Sequence, residues 1–270
     1  MPSWALTVAY DGTFFGGFQL QKNARTVQAE LERALLDLTG APVRVKGASR
    51  TDAGVHAMGQ VAVFSSEVDL RPERWMGALN ARLPEDVRIM GATPVPDTFD
   101  PQRQASAKTY AYLIDRGPSP QPVFRQHAVW CPTLSDLGGL GEAAAHFVGR
   151  HDFRSVSGDS RRQNTVRTVH EVSMAHPMGL TMVVVRGDGF LYHMVRNMVG
   201  LLMEVGRGRR QPDEIPVILE ARDRRMAGPT APAKGLMLVG VEYPDRSLTG
   251  SEGFMKIKVG VPSGCEEDRS

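Results

Sequence analysis

Little in this 270-residue sequence speaks for a membrane, a disulfide framework or a bound metal. Only two cysteines are present, Cys131 and Cys265. They stand far apart and match no metal-ligand spacing, so a zinc module is excluded and a reducing, cytoplasmic setting is expected. No stretch approaches the ~20 consecutive apolar residues that span a bilayer. The start, Met1-Pro2-Ser3-Trp4, lacks the basic and apolar regions of a secretion signal. No glycine-rich phosphate loop follows a strand and opens a helix; Phe15-Gly16-Gly17-Phe18 has the wrong spacing. No Gly-x-Ser-x-Gly elbow occurs. His56 and His193 lack a third ligand at metal spacing, so no metal is expected. Net charge is only +2, too small to coat nucleic acid by charge alone. What charge there is clusters, at Arg161-Arg162, Arg207 to Arg210 and Arg222 to Arg225. Arginine dominates these clusters, and its planar fork suits phosphate.

The chain is long enough for one large domain or two medium ones. Alternation at Leu6, Val8 and Tyr10 predicts a strand over Ala5 to Tyr10. Thr26 caps a helix whose stripe is Val27, Leu31, Ala34, Leu35 and Leu38, and Gly40 stops it. Strands are expected at Val43 to Ala48, Gln60 to Phe64 and Val87 to Thr93, with a helix from Pro72 through Trp75, Leu79 and Leu83. The order β-α-β-β-α-β is the ferredoxin-like signature. The second half reads similarly. Strands are expected at 105–114, 127–131, 166–174, 180–185 and 236–243, and helices at 135–148, 191–205 and 212–221. The fold class is therefore α+β: two pseudo-symmetric ferredoxin-like halves, 1–104 and 105–245, with mainly antiparallel sheets and a cleft where they meet. Residues 246–270 form a tail of unknown order, with weak strand alternation over 254–261.

Three segments could carry chemistry. The loop Gly47-Ala48-Ser49-Arg50-Thr51-Asp52-Ala53-Gly54-Val55-His56 holds an arginine, an aspartate and a histidine between two strands. An ionised carboxylate near an arginine can serve as nucleophile or base; the bland alternative is an ordinary turn with a surface ion pair. The helix of residues 191–205 has an apolar stripe and a second face with His193, Arg196, Asn197 and Gly200. An arginine on such a helix needs an acidic or phosphate partner, and Asp52 is a candidate. In Lys108-Thr109-Tyr110-Ala111-Tyr112, alternation puts Lys108, Tyr110 and Tyr112 on one strand face, a platform on which an unpaired base can stack.

Taken together, these segments resemble the tRNA pseudouridine synthase A family. The resemblance rests on Tyr10-Asp11-Gly12, Gly17-Phe18-Gln19, Gln21, the stretch Gly47 to Ala57, and Lys108-Thr109-Tyr110. It continues through Val166-Arg167-Thr168, Phe190 to Gly200, Thr230-Ala231-Pro232 and Gly235-Leu236. It implies isomerisation of uridine to pseudouridine in the tRNA anticodon stem-loop, without cofactor or metal, by a cytoplasmic homodimer. It further implies Asp52 as the catalytic aspartate, Arg50 displacing and holding the target nucleotide, Tyr110 packing on the uracil ring and Arg196 pairing with Asp52. The family usually has Trp where Phe18 stands and often His where Tyr192 stands. Asp52 would either attack the sugar C1′ or remove its 2′ proton. A non-catalytic ferredoxin-like RNA-binding module and an Asp/His metal-dependent hydrolase are the alternatives from other classes.

Overall fold

A computed structural model describes residues 1–159 and 161–244, so the tail at 246–270 and its strand pattern lie outside the described residues. The first half runs β1 (Ser3–Tyr10), α1 (Val27–Thr39), β2 (Lys46–Gly47), β3 (His56–Ser65), α2 (Pro72–Asn80) and β4 (Val87–Val95). The second runs β5 (Ala107–Asp115), β6 (Val129–Trp130), α3 (Leu137–Ala145), β7 (Gly149–Asp152), β8 (Val166–Ala175), β9 (Leu180–Gly187), α4 (Met194–Gly206), α5 (Glu214–Ala221) and β10 (Leu236–Glu242). Among the described residues no helix is long and apolar enough to cross a membrane.

The strands form one ten-stranded sheet in the order β4-β1-β3-β10-β5-β9-β8-β7, with β2 on β3 and β6 on β5. Its two halves share one arrangement. In the first, β4, β1, β3 and β2 neighbour one another in that order; in the second, β10, β5, β9 and β8 do. Both are antiparallel throughout. The halves meet through a pairing of their sheets. β2 occupies β3 only at Val63 and Ala62. That leaves the His56 end of the same edge for a parallel pairing with β10, through Met237↔His56 and Leu238↔Ala57. The short β2 is thus what lets the halves fuse.

Local chemistry explains the departures from pattern. A strand was expected over Val43 to Ala48, but α1 takes the backbone groups of Val45. Its N–H donates to Glu32 Oε1 at 3.1 Å, and its carbonyl accepts from Gln28 Nε2 at 3.1 Å. β7 has no apolar alternation to announce it, being Gly-Arg-His-Asp, and forms because it pairs antiparallel with β8. The Thr26 cap forms as expected, its hydroxyl accepting from Ala29 N–H, and Gly40 closes α1 at φ 72°. The apolar stripes meet in one core, where Trp75 is fully buried and sets its ring edge-on to Phe64 at 5.0 Å.

Candidate active site

The loop from Ala48 to Asp52 leaves β2 with most of its polar backbone engaged. Ala48 N–H donates to Val61 at 2.8 Å, and its carbonyl accepts from Lys108 Nζ at 2.6 Å. Ser49 exchanges two bonds with the buried Gln60 amide. The Thr51 carbonyl accepts from Phe18 N–H, and its hydroxyl bonds Tyr10 OH at 2.7 Å. Close approach by the loop over residues 15–18 requires glycine at 17. A Cβ there would meet the Thr51 carbonyl oxygen at 2.7 Å, and the residue sits at φ 106°. Phe18, where the family usually has Trp, packs its ring against Gly47. A loop so anchored holds Asp52 in one position.

Arg196 approaches from the opposite half, in the first turn of α4. Its Nη1 lies 3.1 Å from Asp52 Oδ2, and its Nε donates to the Ala231 carbonyl at 2.8 Å. Ala231 N–H returns a bond to the Arg196 carbonyl. The 229–231 segment lies so close to the helix that a Cβ on Gly200 would strike the Pro229 carbonyl oxygen. Asn197, fully buried, fixes the next layer by donating to the Val156 carbonyl and accepting from Thr230 Oγ1 and Arg224 Nη2. The face expected on this helix therefore divides: His193 and Arg196 turn to Asp52, while Asn197 and Gly200 face the segment at 229–231. Among the described residues, the ion-pair contacts of Asp52 are Arg196 and His193, whose Nε2 lies 3.3 Å from the same Oδ2. Arg50 is not among them; it is exposed on the rim.

Tyr110 closes one wall. It is buried, bonds Ser49 Oγ at 2.7 Å through its hydroxyl, and meets Phe190 edge-on at 5.3 Å. Burial pushes its phenol up to about 12, and the Asp52 charge adds to this against the Ser49 bond. Lys108 shares its strand face and lies buried too; burial pushes its amine down to about 8. Ser49, Arg50, Asp52, Lys108, Tyr110, Tyr192, His193 and Arg196 line one cleft of about 360 Å³. That volume suits a single nucleotide rather than a duplex.

A model of the tRNA pseudouridine synthase family matches residues 6–102 and 143–244. The tRNA pseudouridine synthase A of Shouchella clausii (strain KSM-K16) is 44% identical over 246 residues, 90% of this chain and 94% of that protein. That of Acetivibrio thermocellus is 44% identical, covering 88% of this chain and 98% of the relative. The Streptococcus thermophilus (strain CNRZ 1066) protein is 42% identical, covering 90% and 100%. The chain belongs to the tRNA pseudouridine synthase family. The matched segments contain Arg50, Asp52, His193 and Arg196, while Lys108 and Tyr110 fall in the stretch between them.

For this family member the two histidines singled out in the sequence part company. His193 faces Asp52, whereas His56 sits with Asp11 and His127, its Nδ1 3.1 Å from Asp11 Oδ1. Three residues of metal-ligating type, Asp11, His56 and His127, thus gather where sequence spacing showed no third ligand. Both ring nitrogens of His56 are engaged, however. Nδ1 accepts from Gly12 N–H at 3.1 Å, and Nε2 faces the carbonyls of Gln126 and Lys234 at 3.1 and 3.2 Å. Burial lowers the His56 pKa, with His127 adding and Asp11 opposing. The arrangement clasps the turn after β1 to the start of β3 and to both segments of the second half that frame it. Sequence reasoning did not see Ser49 and Phe190 as partners of Tyr110, because both contacts cross between distant segments.

Proposed function

We propose that this protein isomerises uridine to pseudouridine in the anticodon stem-loop of tRNA, with Asp52 as the reacting carboxylate. The observation that carries the reading is the Asp52–Arg196 pair, 3.1 Å apart across the two halves, in a cleft with room for one nucleotide. A base inside a stem is out of reach, so the target must leave the stack. Arg50, exposed on the rim two residues before Asp52, is placed to displace and hold it through phosphate or base edges. The Tyr110 ring offers the extruded uracil an apolar wall.

The reaction exchanges a C1′–N1 bond and a C5–H bond for a C1′–C5 bond and an N1–H bond. No electrons enter or leave, so the chemistry asks for neither an oxidant nor a reductant. In one route Asp52 attacks C1′ and the uracil leaves with the N1 electron pair. The ring turns, C5 displaces the aspartate, and C5 then loses its proton. In the other, Asp52 takes the 2′ proton as the uracil leaves C1′ with the N1 electron pair; C5 of the turned ring then adds to C1′ of the glycal, a proton returns to C2′ and C5 loses its own, N1 taking up a proton in both routes. Arg196 fixes the carboxylate, which is only partly exposed in the cleft. The Tyr110 phenol, raised to about 12, is neutral at physiological pH, which suits packing against the base.

The working protein in this proposal is a cytoplasmic homodimer. Its support is the resemblance together with an open, apolar trough of about 460 Å³ lined by Met58, Leu113, Met178, Met182, Val184 and Met237. A second copy of such a surface could bury methionines that adapt to one another.

The decisive experiment maps pseudouridine in unmodified tRNA after incubation with wild type and Asp52→Asn. The variant is expected to lose at least ~1,000-fold in rate while tRNA binding largely survives. Near-normal turnover by the variant would falsify the role of Asp52. Wild-type protein that binds tRNA but forms no pseudouridine would leave the non-catalytic RNA-binding reading.

A further inference from the structure

His193 is held in a conformation that few side chains adopt. It sits at φ 59°, ψ 4°, in the left-handed region, immediately before α4. Residues kept there without glycine cost backbone energy and tend to mark sites that need one orientation. The side chain is fixed from two further directions. The Tyr192 ring stacks on it, centroids 3.8 Å apart and planes 25° from parallel. The backbone at Gly158 presses against it so closely that a Cβ there would lie 3.1 Å from the imidazole Nδ1. Gly158 N–H also donates to the Tyr192 carbonyl at 2.7 Å, locking that approach. The result brings Nε2 within 3.3 Å of Asp52 Oδ2, the oxygen that Arg196 also contacts. Among the described residues, both ion-pair contacts of the carboxylate fall on Oδ2 and neither on Oδ1.

We propose that His193 is a positioning residue for Asp52: its neutral imidazole, protonated on Nε2, holds Oδ2 with Arg196 so that Oδ1 is presented to the ribose. The proposal rests on Asp52 being the reacting carboxylate. A neutral donor has an advantage over a second cation here. It restrains the rotation of the carboxylate without drawing off more of the negative charge that must act on the sugar. The groups around the ring favour the neutral form. Burial lowers the His193 pKa, Arg196 from α4 and Arg224 from the segment before β10 lower it further, and Asp52 from the facing loop opposes them. Asp159, Arg162 and Arg50 line the same cleft. When the ring does take a proton in acid, the imidazolium pairs with Asp52 and slows its chemistry. The rate therefore carries an acid limb set by His193, lying below the ordinary imidazole value.

The test is single-turnover tritium release from C5-labelled uridine in tRNA, measured from pH 5 to 8.5, alongside tRNA affinity and thermal midpoint. His193→Phe keeps a ring for Tyr192 but removes the donor. It should lower the rate ~10- to 100-fold with affinity changed less than about threefold. His193→Gln restores a neutral donor and should return the rate to within about fivefold of wild type, without the His193 acid limb. His193→Gly relieves the left-handed backbone, so its thermal midpoint should hold or rise while its rate falls. A wild-type rate and pH profile in His193→Phe overturns the proposal, as does a loss confined to tRNA affinity, or a rate loss that tracks falling stability across the three variants. Asp52→Asn run in parallel separates the two claims. If it stays active, the reading of Asp52 fails; if it is dead while His193→Phe is normal, only the positioning role fails.

Discussion

The two faces of β5 lead to different chemistries. One face carries Lys108, Tyr110 and Tyr112, all buried and each bonded through its polar tip: to the Ala48 carbonyl, the Ser49 hydroxyl and the Pro232 carbonyl. The other carries Thr109, Ala111 and Leu113, which line the apolar trough with methionines from β3, β9 and β10. The period-2 geometry of a strand makes this division possible with one residue between the two. On the first face each polar tip has a partner, as the proposed role of Asp52 beside it requires, since a reacting group tolerates little displacement. On the second, unbranched thioethers adapt to whatever packs on them. Precision and adaptability are therefore separated by the thickness of one sheet.

Four substitutions would break or sharpen that contrast. Arg196→Ala, on the precise side, should lower the rate of pseudouridine formation by ~100-fold or more, with tRNA affinity little changed. Rapid-quench kinetics and filter binding read the two quantities, and a change in affinity alone would sink the pairing role. Lys108→Met tests what the precise face costs in stability. The folded amine lies near pH 8 against an ordinary 10.5, so its charged form is penalised in the fold. The penalty is complete below pH 8, shrinks as pH rises through 8 to 10.5, and is absent above. Removing it should stabilise the protein at neutral pH by up to roughly 3 kcal/mol, less what the unpartnered Ala48 carbonyl then loses. Melting curves between pH 7 and 10 should show wild type gaining on the variant; a constant gap contradicts the buried charge. Tyr110→Phe keeps the wall and deletes the hydroxyl, and is expected to slow turnover by only about fivefold, the worth of one neutral hydrogen bond. A loss beyond ~100-fold would instead give the Tyr110 hydroxyl a part in moving the C5 proton. If the proposed homodimer forms through this trough, Met182→Glu, on the adaptable side, should shift the mass by light scattering from two chains to one, with the smallest change in single-turnover rate. An unaltered mass would argue that the trough is not the dimer surface.

Much of this was legible in the sequence where one segment decides its own fate. The Thr26 cap, the Gly40 stop and the shared face of Lys108, Tyr110 and Tyr112 on β5 are local, and each appears as the sequence predicts, whereas α4 is buried nearly all round instead of on one stripe. The Asp52–Arg196 contact was foreseeable because an arginine on an apolar helix demands a partner. What sequence could not give depends on pairing at a distance. β7 exists only through its neighbour β8. β2 is short because Glu32 and Gln28 reach out of α1 to take the bonds of Val45. The His193 contact requires a left-handed turn that the pattern of the surrounding residues does not announce, and the fusion of the sheets requires knowing how much of the β3 edge is left vacant.

That vacant edge has a consequence for how the protein is made. β10 is the last described strand to leave the ribosome, yet its place is between β3 and β5, near the middle of the sheet. The first half emerges early and can begin to fold at once. Its His56 end must wait for a strand synthesised some 180 positions later. Until then Asp52 and Arg196 have no reason to meet, and a nascent chain can offer tRNA no finished site. The order of synthesis thus makes the active site the last thing the protein acquires, and a chain cut before Leu236 should never acquire it.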